Sequence, residues 1–162
     1  MIRKLLRCIR EYKRDSILTP ILVTLEVVME VIIPLLMANL IDYGITDGNM
    51  SYILKMGIVL AVFAMLSLFF GAMAGSTAAN ASAGFAKNLR HDMYYNVQNF
   101  SFSNIDKFST ASIVTRLTTD VTNVQNAYQM IIRMAVRSPI MFIFSMVMSF
   151  SVNPTLSLIF LG

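Results

Sequence analysis

The chain has 162 residues, of which 56% are apolar and only 14% are charged, whereas soluble proteins contain about 25% charged residues. Positions 56–86 and 138–162 contain no Asp, Glu, Lys or Arg, and each run exceeds the roughly 20 residues that a helix needs to cross a bilayer. The composition therefore excludes a soluble globular protein. It predicts an all-α, polytopic membrane protein.

The positions of the basic residues predict the orientation of the chain. Every Lys and Arg except Lys55 lies in 1–14 or in 87–137, and the loop 42–51 contains Asp but neither Lys nor Arg. By the positive-inside rule, the N-terminus and the long polar segment are cytoplasmic and the short loop is external. We expect a multi-pass plasma-membrane protein with a cytoplasmic N-terminus. The net charge of +4 is explained by this topology, so we expect no nucleic-acid partner.

Residues 1–15 combine an apolar stripe at helical spacing with basic residues on the other sides. This pattern predicts a helix that lies in the cytoplasmic interface of the bilayer. Cys8, within this segment, is the only cysteine, so it cannot form an internal disulfide, and no metal-ligand spacing surrounds it. We expect an inert thiol and leave palmitoylation open.

The first predicted crossing, 17–45, carries two acidic residues inside an apolar run. Glu26 and Glu30 are four positions apart and therefore share one helical face. Because charge is costly within a bilayer, such side chains face a bundle interior or an aqueous cavity. Glu26 and Glu30 are thus candidate residues of a substrate cavity. A hydrogen bond to a neighbouring helix in a part of the protein outside this chain is an equally weighted alternative.

The second predicted crossing, 51–100, contains a ridge of small residues at every fourth position: Gly71, Gly75, Ala79 and Ala83. Such a ridge permits close approach of another helix, although a helix rich in Gly and Ala without a specific partner would look similar. Asn80 lies among these residues, where its amide needs a partner or a cavity. It is the third candidate cavity residue.

An apolar stripe continues past the membrane to about position 100, and a second stripe with approximate heptad spacing begins at 111. We expect a returning helix and third crossing at 111–151, so that two long helices form a hairpin that extends into the cytoplasm. The eight apolar residues 155–162 are too few to cross the bilayer. They predict the start of a fourth crossing in a truncated piece of a longer protein.

The tip of the predicted hairpin is the turn 101–110. Ser103 and Asp106 have the spacing of an N-cap followed by an acid at the third position, and Ile105 and Phe108 share one side of the following turn. We expect a short helix with an apolar side, which is suited to docking on a soluble partner.

Residues 89–125, LRHDMYYNVQNFSFSNIDKFSTASIVTRLTTDVTNVQ, resemble the first intracellular loop of exporter-type ABC transporters. Arg90 and Asp92 match the Arg-x-Asp of the family's first cytoplasmic helix, and TRLTTDV at 115–121 matches its Ser-Arg-Leu-x-x-Asp-Val helix. The segment 1–15 is similar to the family's elbow helix, and 33–45 to the end of its first crossing.

Two positions depart from the family pattern. Ala111 occupies the usual Gly position, and Asn104-Ile105 replaces a more typical aromatic pair. These changes resemble those of half-transporters that pair with a different second half. We therefore expect a heterodimer and leave a homodimer open.

The resemblance implies the membrane-spanning part of an ATP-driven exporter of hydrophobic or amphipathic small molecules such as drugs, lipids or peptides. Nucleotide-binding domains, from a C-terminal part outside this chain and from a second half-transporter, would bind ATP and Mg²⁺. The implied coupling helix consists of Ser103, Asn104, Ile105, Asp106, Lys107 and Phe108.

The chain contains no G-x-x-x-x-G-K-[ST] phosphate loop. We therefore expect no catalytic, cofactor-binding or metal-binding residues in it, and we assign any ATP hydrolysis to the full-length protein. His91 is alone on its helix and is interpreted as a solvated or hydrogen-bonded side chain.

Two other classes of protein remain as alternatives. A secondary-transporter repeat can also contain three crossings, but it predicts shorter cytoplasmic loops than this chain has. A non-transporting oligomeric membrane subunit could use the ridge of small residues, but it offers no reason for a docking turn at the hairpin tip.

Overall fold

The computed structural model describes residue 5 and residues 7–99 and 110–152, and these residues form helices joined by turns. A 3₁₀ segment, Arg7–Tyr12, precedes α1. The four α-helices are α1 (Lys13–Leu40), α2 (Met50–Gln98), α3 (Thr110–Thr115) and α4 (Val121–Val152). Short π-helical turns follow α1 at Ile41–Ile45 and α3 at Arg116–Asp120. Within these ranges no strand occurs, which confirms the predicted all-α class.

Three helical stretches are long and apolar enough to cross a membrane: Arg7–Ile45, Met50–Gln98 and Ala111–Phe150. Their large apolar side chains also point outward, as Met65 and Leu68 on α2 show with exposures of 73% and 74%. A helix that is apolar on all sides is typical of a membrane span. The composition and the outward apolar faces together define a multi-pass membrane protein.

The connection between α1 and α2 is a tight turn. Gly48 adopts a φ of +66°, a left-handed conformation that costs glycine little and other residues more. The side chain of Asn49 then caps α2, because its Oδ1 accepts a hydrogen bond from the backbone N–H of Tyr52 at 3.2 Å. The rings of Tyr43 and Tyr52 meet edge to face across this turn, with centroids 6.3 Å apart.

The chain divides into two compact units. The first comprises Met1–Thr19 and Gly75–Arg133, and the second comprises Pro20–Ala74 and Met134–Gly162. In the second unit, Leu22, Val23, Val27 and Val31 of α1 form a buried face together with Ala74 of α2. Phe70, Ile140 and Met148 pack against that face.

In the first unit, α2 buries a face of mostly small side chains: Ala78, Ala81, Ser82, Phe85 and Ala86. The ring of Phe85 stacks on Tyr128 of α4, with centroids 4.6 Å apart and an interplanar angle of 17°. The hydroxyl groups of Tyr128 and Ser16 are 2.8 Å apart, within hydrogen-bond distance. Both the start of α1 and α4 therefore pack against α2 within this unit.

The N-terminal segment also packs closely on α2. The ring of Tyr12 lies directly against Gly84, where a Cβ atom would overlap it. The backbone carbonyl of Cys8 accepts a hydrogen bond from the side-chain amide of Asn88 at 2.8 Å. The dihedral angles at Arg10 (φ 36°, ψ −105°) are not helical, so the 3₁₀ segment is kinked at this residue.

We expect Gly84→Ala to lower the free energy of unfolding by about 1 to 3 kcal/mol, the usual cost of overfilling a packed site, because the new methyl group displaces Tyr12. Gly57→Ala is the matched control, since among the described residues no atom beyond its own helical turn lies within 4 Å of a Cβ at that position. Chemical denaturation of both variants in detergent checks this. A Gly84→Ala protein as stable as the Gly57→Ala protein would contradict it.

Candidate functional site

The second unit contains a cluster of three charged side chains. Glu26 and Glu30 lie one turn apart on α1, and Arg137 of α4 lies between their carboxylates. Arg137 Nη1 donates to Glu26 Oε1 at 3.0 Å. Arg137 Nη2 donates to both oxygens of Glu30, at 2.9 Å and 2.8 Å. One guanidinium group therefore joins two carboxylates on the same face of α1.

The two carboxylates are bound unequally. Both oxygens of Glu30 accept a hydrogen bond, whereas Glu26 uses only Oε1. Glu26 is 8% exposed, and its Oε2 is buried with no hydrogen-bond partner among the described residues. A buried polar atom without a partner is costly. The cluster formally carries two negative charges and one positive charge, so one negative charge is not compensated.

Gly71 of α2 makes room for this arrangement. A Cβ atom at position 71 would lie 2.8 Å from Glu26 Oε1, so a larger residue would displace the carboxylate from Arg137. Glu26, Glu30 and Gly71 also border an open cavity of about 510 Å³, which Ser67 and the apolar side chains of Ile33, Ala64, Leu68 and Ala72 complete.

The structure brings together two of the three candidate cavity residues. Glu26 and Glu30 line one cavity and pair with Arg137 on α4 of the same chain. Asn80 belongs to the first unit, where it is exposed and borders a different cavity beside Tyr12, Asp15 and Lys87. A role of any of these residues in substrate binding stays a prediction.

Arg137 is the member of the cluster that sequence reasoning missed. The positive-inside rule assigns it to the cytoplasmic segment 87–137. Two acidic residues on one face of an apolar helix require a cationic partner, and Arg137 is the last basic residue before the charge-free run 138–162. That combination was the signal available in the sequence.

The predicted ridge of small residues has mixed surroundings. Gly71 lies against Glu26, and Ala79 and Ala83 are exposed. In the part of the chain that the structure describes, nothing beyond the local helical turn lies within 4 Å of a Cβ at Gly75. The buried small residues of α2 lie at other positions, as the first unit's Ala78 and Ala81 show. Close packing of another helix on the ridge therefore stays a prediction.

The Arg-x-Asp motif of the predicted cytoplasmic helix links α2 to two other segments. Asp92 accepts hydrogen bonds from Arg10 Nη2 at 2.8 Å and 3.1 Å, and Arg90 donates to Thr122 Oγ1 of α4 at 3.2 Å. Within the first unit these two residues therefore hold segments together.

Cys8 is buried beside the same carboxylate. Its Sγ lies 3.8 Å from Asp92 Oδ2, with the thiol donating. Burial raises the pKa of the Cys8 thiol, and the negative charge of Asp92 raises the pKa further, while Arg10 opposes this. The neutral thiol is therefore favoured over the more reactive thiolate.

The coupling residues predicted at 103–108 lie outside the described residues. In the part of the chain that the structure does describe, no group of three or more His, Cys, Asp or Glu side chains could hold a metal ion.

Comparison with known proteins agrees with the fold. Residues 16–162 match the family model of the ABC transporter transmembrane region. The chain is 34% identical over 152 residues to the uncharacterized ABC transporter ATP-binding protein YfiB of Bacillus subtilis strain 168, a match that covers 94% of the chain and 26% of that protein. It is 26% identical over 141 residues to the uncharacterized ABC transporter ATP-binding protein MT1311 of Mycobacterium tuberculosis, covering 87% of the chain and 24% of that protein.

The chain belongs to the ABC transporter transmembrane region family. The match over 16–162 confirms the resemblance drawn from the residues, and it defines the chain as a membrane part of an ABC transporter. The chain spans about a quarter of the length of the relatives it matches.

We expect Arg137→Gln to lower the free energy of unfolding by about 3 kcal/mol, the lower end for loss of one partner of a buried ion pair. The lower end applies because the Arg137 side chain is 36% exposed. Arg133→Gln is the matched control, one turn earlier on α4. Equal stability of the two variants in denaturant titrations would show that the cluster does not stabilise the fold.

We expect Cys8 to react with iodoacetamide only above the pH at which a free thiol reacts, because its pKa is raised. Asp92→Asn removes one cause of the shift, so the midpoint of the pH–rate profile should move to lower pH. Alkylation rates measured between neutral and alkaline pH check this. An unchanged midpoint in the Asp92→Asn protein would contradict the assigned role of the carboxylate.

Proposed function

We propose that this chain forms part of the translocation pathway of an ATP-driven exporter of hydrophobic or amphipathic small molecules. The family match over 16–162 carries this proposal. The relatives are named ATP-binding proteins, which supports nucleotide-binding domains as the partners of this membrane part. Those domains, in the complete protein and in a second half-transporter, would bind ATP and Mg²⁺.

The lengths of the helices support a mechanical role. The helix Met50–Gln98 has 49 residues, more than twice the roughly 20 that cross the hydrocarbon. A continuous helix can transmit a rigid-body displacement that a flexible loop would absorb. ATP-driven closure of nucleotide-binding domains at the cytoplasmic end of such a helix would therefore move its membrane part.

The proposed contact with the nucleotide-binding domain is the coupling segment 103–108, SNIDKF. Its apolar residues Ile105 and Phe108 would occupy a groove on that domain. The charge distribution supports a cytoplasmic location for this segment and for the N-terminus. We further propose that the protein lies in the plasma membrane and assembles as a heterodimer, with a homodimer as the alternative.

We expect Ile105→Asp and Phe108→Asp in the complete transporter to uncouple ATP hydrolysis from transport while leaving membrane insertion intact, because a buried charge would weaken the docking contact. Transport into inverted vesicles and ATPase activity would be measured in parallel on the same preparations.

Val114→Asp is the control for these variants, because it introduces the same charge at a side chain that is 54% exposed on α3. Retained transport in Ile105→Asp and Phe108→Asp would remove the coupling role. Equal uncoupling by Val114→Asp would show that the effect is not specific to the segment 103–108.

A further inference from the structure

We propose that Glu26 binds the positively charged group of an amphipathic organic monocation in the cavity bordered by Glu26, Glu30 and Gly71. This inference rests on the proposed export function and names the class of substrate. Three observations carry it: the unequal use of the two carboxylates, the uncompensated charge, and the chemistry of the cavity wall.

The hydrogen bonds of Arg137 separate the roles of the two acids. Glu30 uses both of its oxygens on Arg137 Nη2, so its charge is neutralised by a paired cation. Glu26 shares the same guanidinium through a single contact of 3.0 Å and keeps Oε2 without a partner among the described residues. Glu26 therefore binds the ligand, and Glu30 positions Arg137.

The charge of the cluster sets the charge of the ligand. Two carboxylates and one guanidinium leave a net charge of −1, and an uncompensated charge in an apolar environment is strongly unfavourable. A single positive charge cancels it. A divalent cation does not fit, because such ions take six or more oxygen ligands or retain much of their water, and Glu26 offers one free oxygen.

The cavity accepts an organic rather than an inorganic cation. Its volume of about 510 Å³ lies within the range of about 300–1,000 Å³ typical of small-molecule sites. Most of its wall is apolar, with Ile33, Ala64, Leu68 and Ala72 beside the hydroxyl of Ser67. Glu26 and Glu30 are the acidic side chains that border it.

The test measures binding to the complete transporter in phosphatidylcholine nanodiscs. The probes are tetraphenylphosphonium, a monocation with an apolar body, and triphenylphosphine oxide, a neutral molecule of similar chemistry. We expect Glu26→Gln to weaken tetraphenylphosphonium binding by about tenfold or more, because the variant loses the Coulomb attraction between the carboxylate and the cation. Binding of the neutral probe should not change. Asp47→Asn, in the exposed turn before α2, is the control and should preserve both affinities.

A pair of further variants separates charge from structure. Glu30→Gln frees Arg137 to neutralise Glu26 fully, so the net charge becomes zero and the affinity for tetraphenylphosphonium should fall to the level of Glu26→Gln. The double variant Glu30→Gln/Arg137→Gln returns the net charge to −1 through Glu26 alone, and the affinity should recover. A purely structural role predicts that the double variant binds no better than Glu30→Gln.

Two results would overturn the proposal: unchanged tetraphenylphosphonium binding in Glu26→Gln, or no recovery in the double variant. Binding of the neutral probe verifies that each variant is folded. If the Glu26→Gln protein does not fold, the double variant provides the test. A failure of the export proposal would be seen in transport and not in binding. Neither probe would then accumulate with ATP in inverted vesicles, although tetraphenylphosphonium binding would still depend on Glu26.

Discussion

The arrangement of the second unit depends on one requirement: two carboxylates within an apolar helix need a cationic partner. Glu26 and Glu30 cannot both stay ionised in a hydrocarbon environment without a cationic partner, and Arg137 on α4 provides that partner through both Nη atoms. The ion pairs tie α1 to α4 at a defined register. A slide of one helix by a turn would separate the charges, so the cluster specifies the pairing as well as stabilising it.

Packing around the cluster follows from the same requirement. Glu26 reaches Arg137 only because Gly71 has no side chain, and the buried valines of α1 bring α2 close at this level. The first unit also contains ion pairs and close contacts at small residues, but these hold the N-terminal segment and α4 against α2. Beside its buried small residues and the stacked rings of Phe85 and Tyr128, polar side chains join its segments, among them Arg10 and Asp92 in an ion pair of 2.8 Å.

Much of this fold could be predicted from the sequence. Charge-free runs longer than a bilayer crossing predict helices, and the described residues of these runs, 56–86 and 138–152, are helical. The fine packing of α2 could not be predicted, because Gly71 and Gly75 have the same pattern yet only Gly71 meets another side chain. The pairing of Arg137 depends on which helices become neighbours in space, and a single sequence does not contain that information directly. The motif residue Asp92 was recognised, but its partner Arg10 is 82 positions away.

The most direct test of this account is a double-mutant cycle on the stability of the complete protein, using Glu30→Gln, Arg137→Gln and the double variant. We expect a coupling free energy of about 1 to 3 kcal/mol between Glu30 and Arg137, as for side chains in direct contact. Additive effects, within about 0.5 kcal/mol as found for independent sites, would contradict the claim that this ion pair joins α1 to α4.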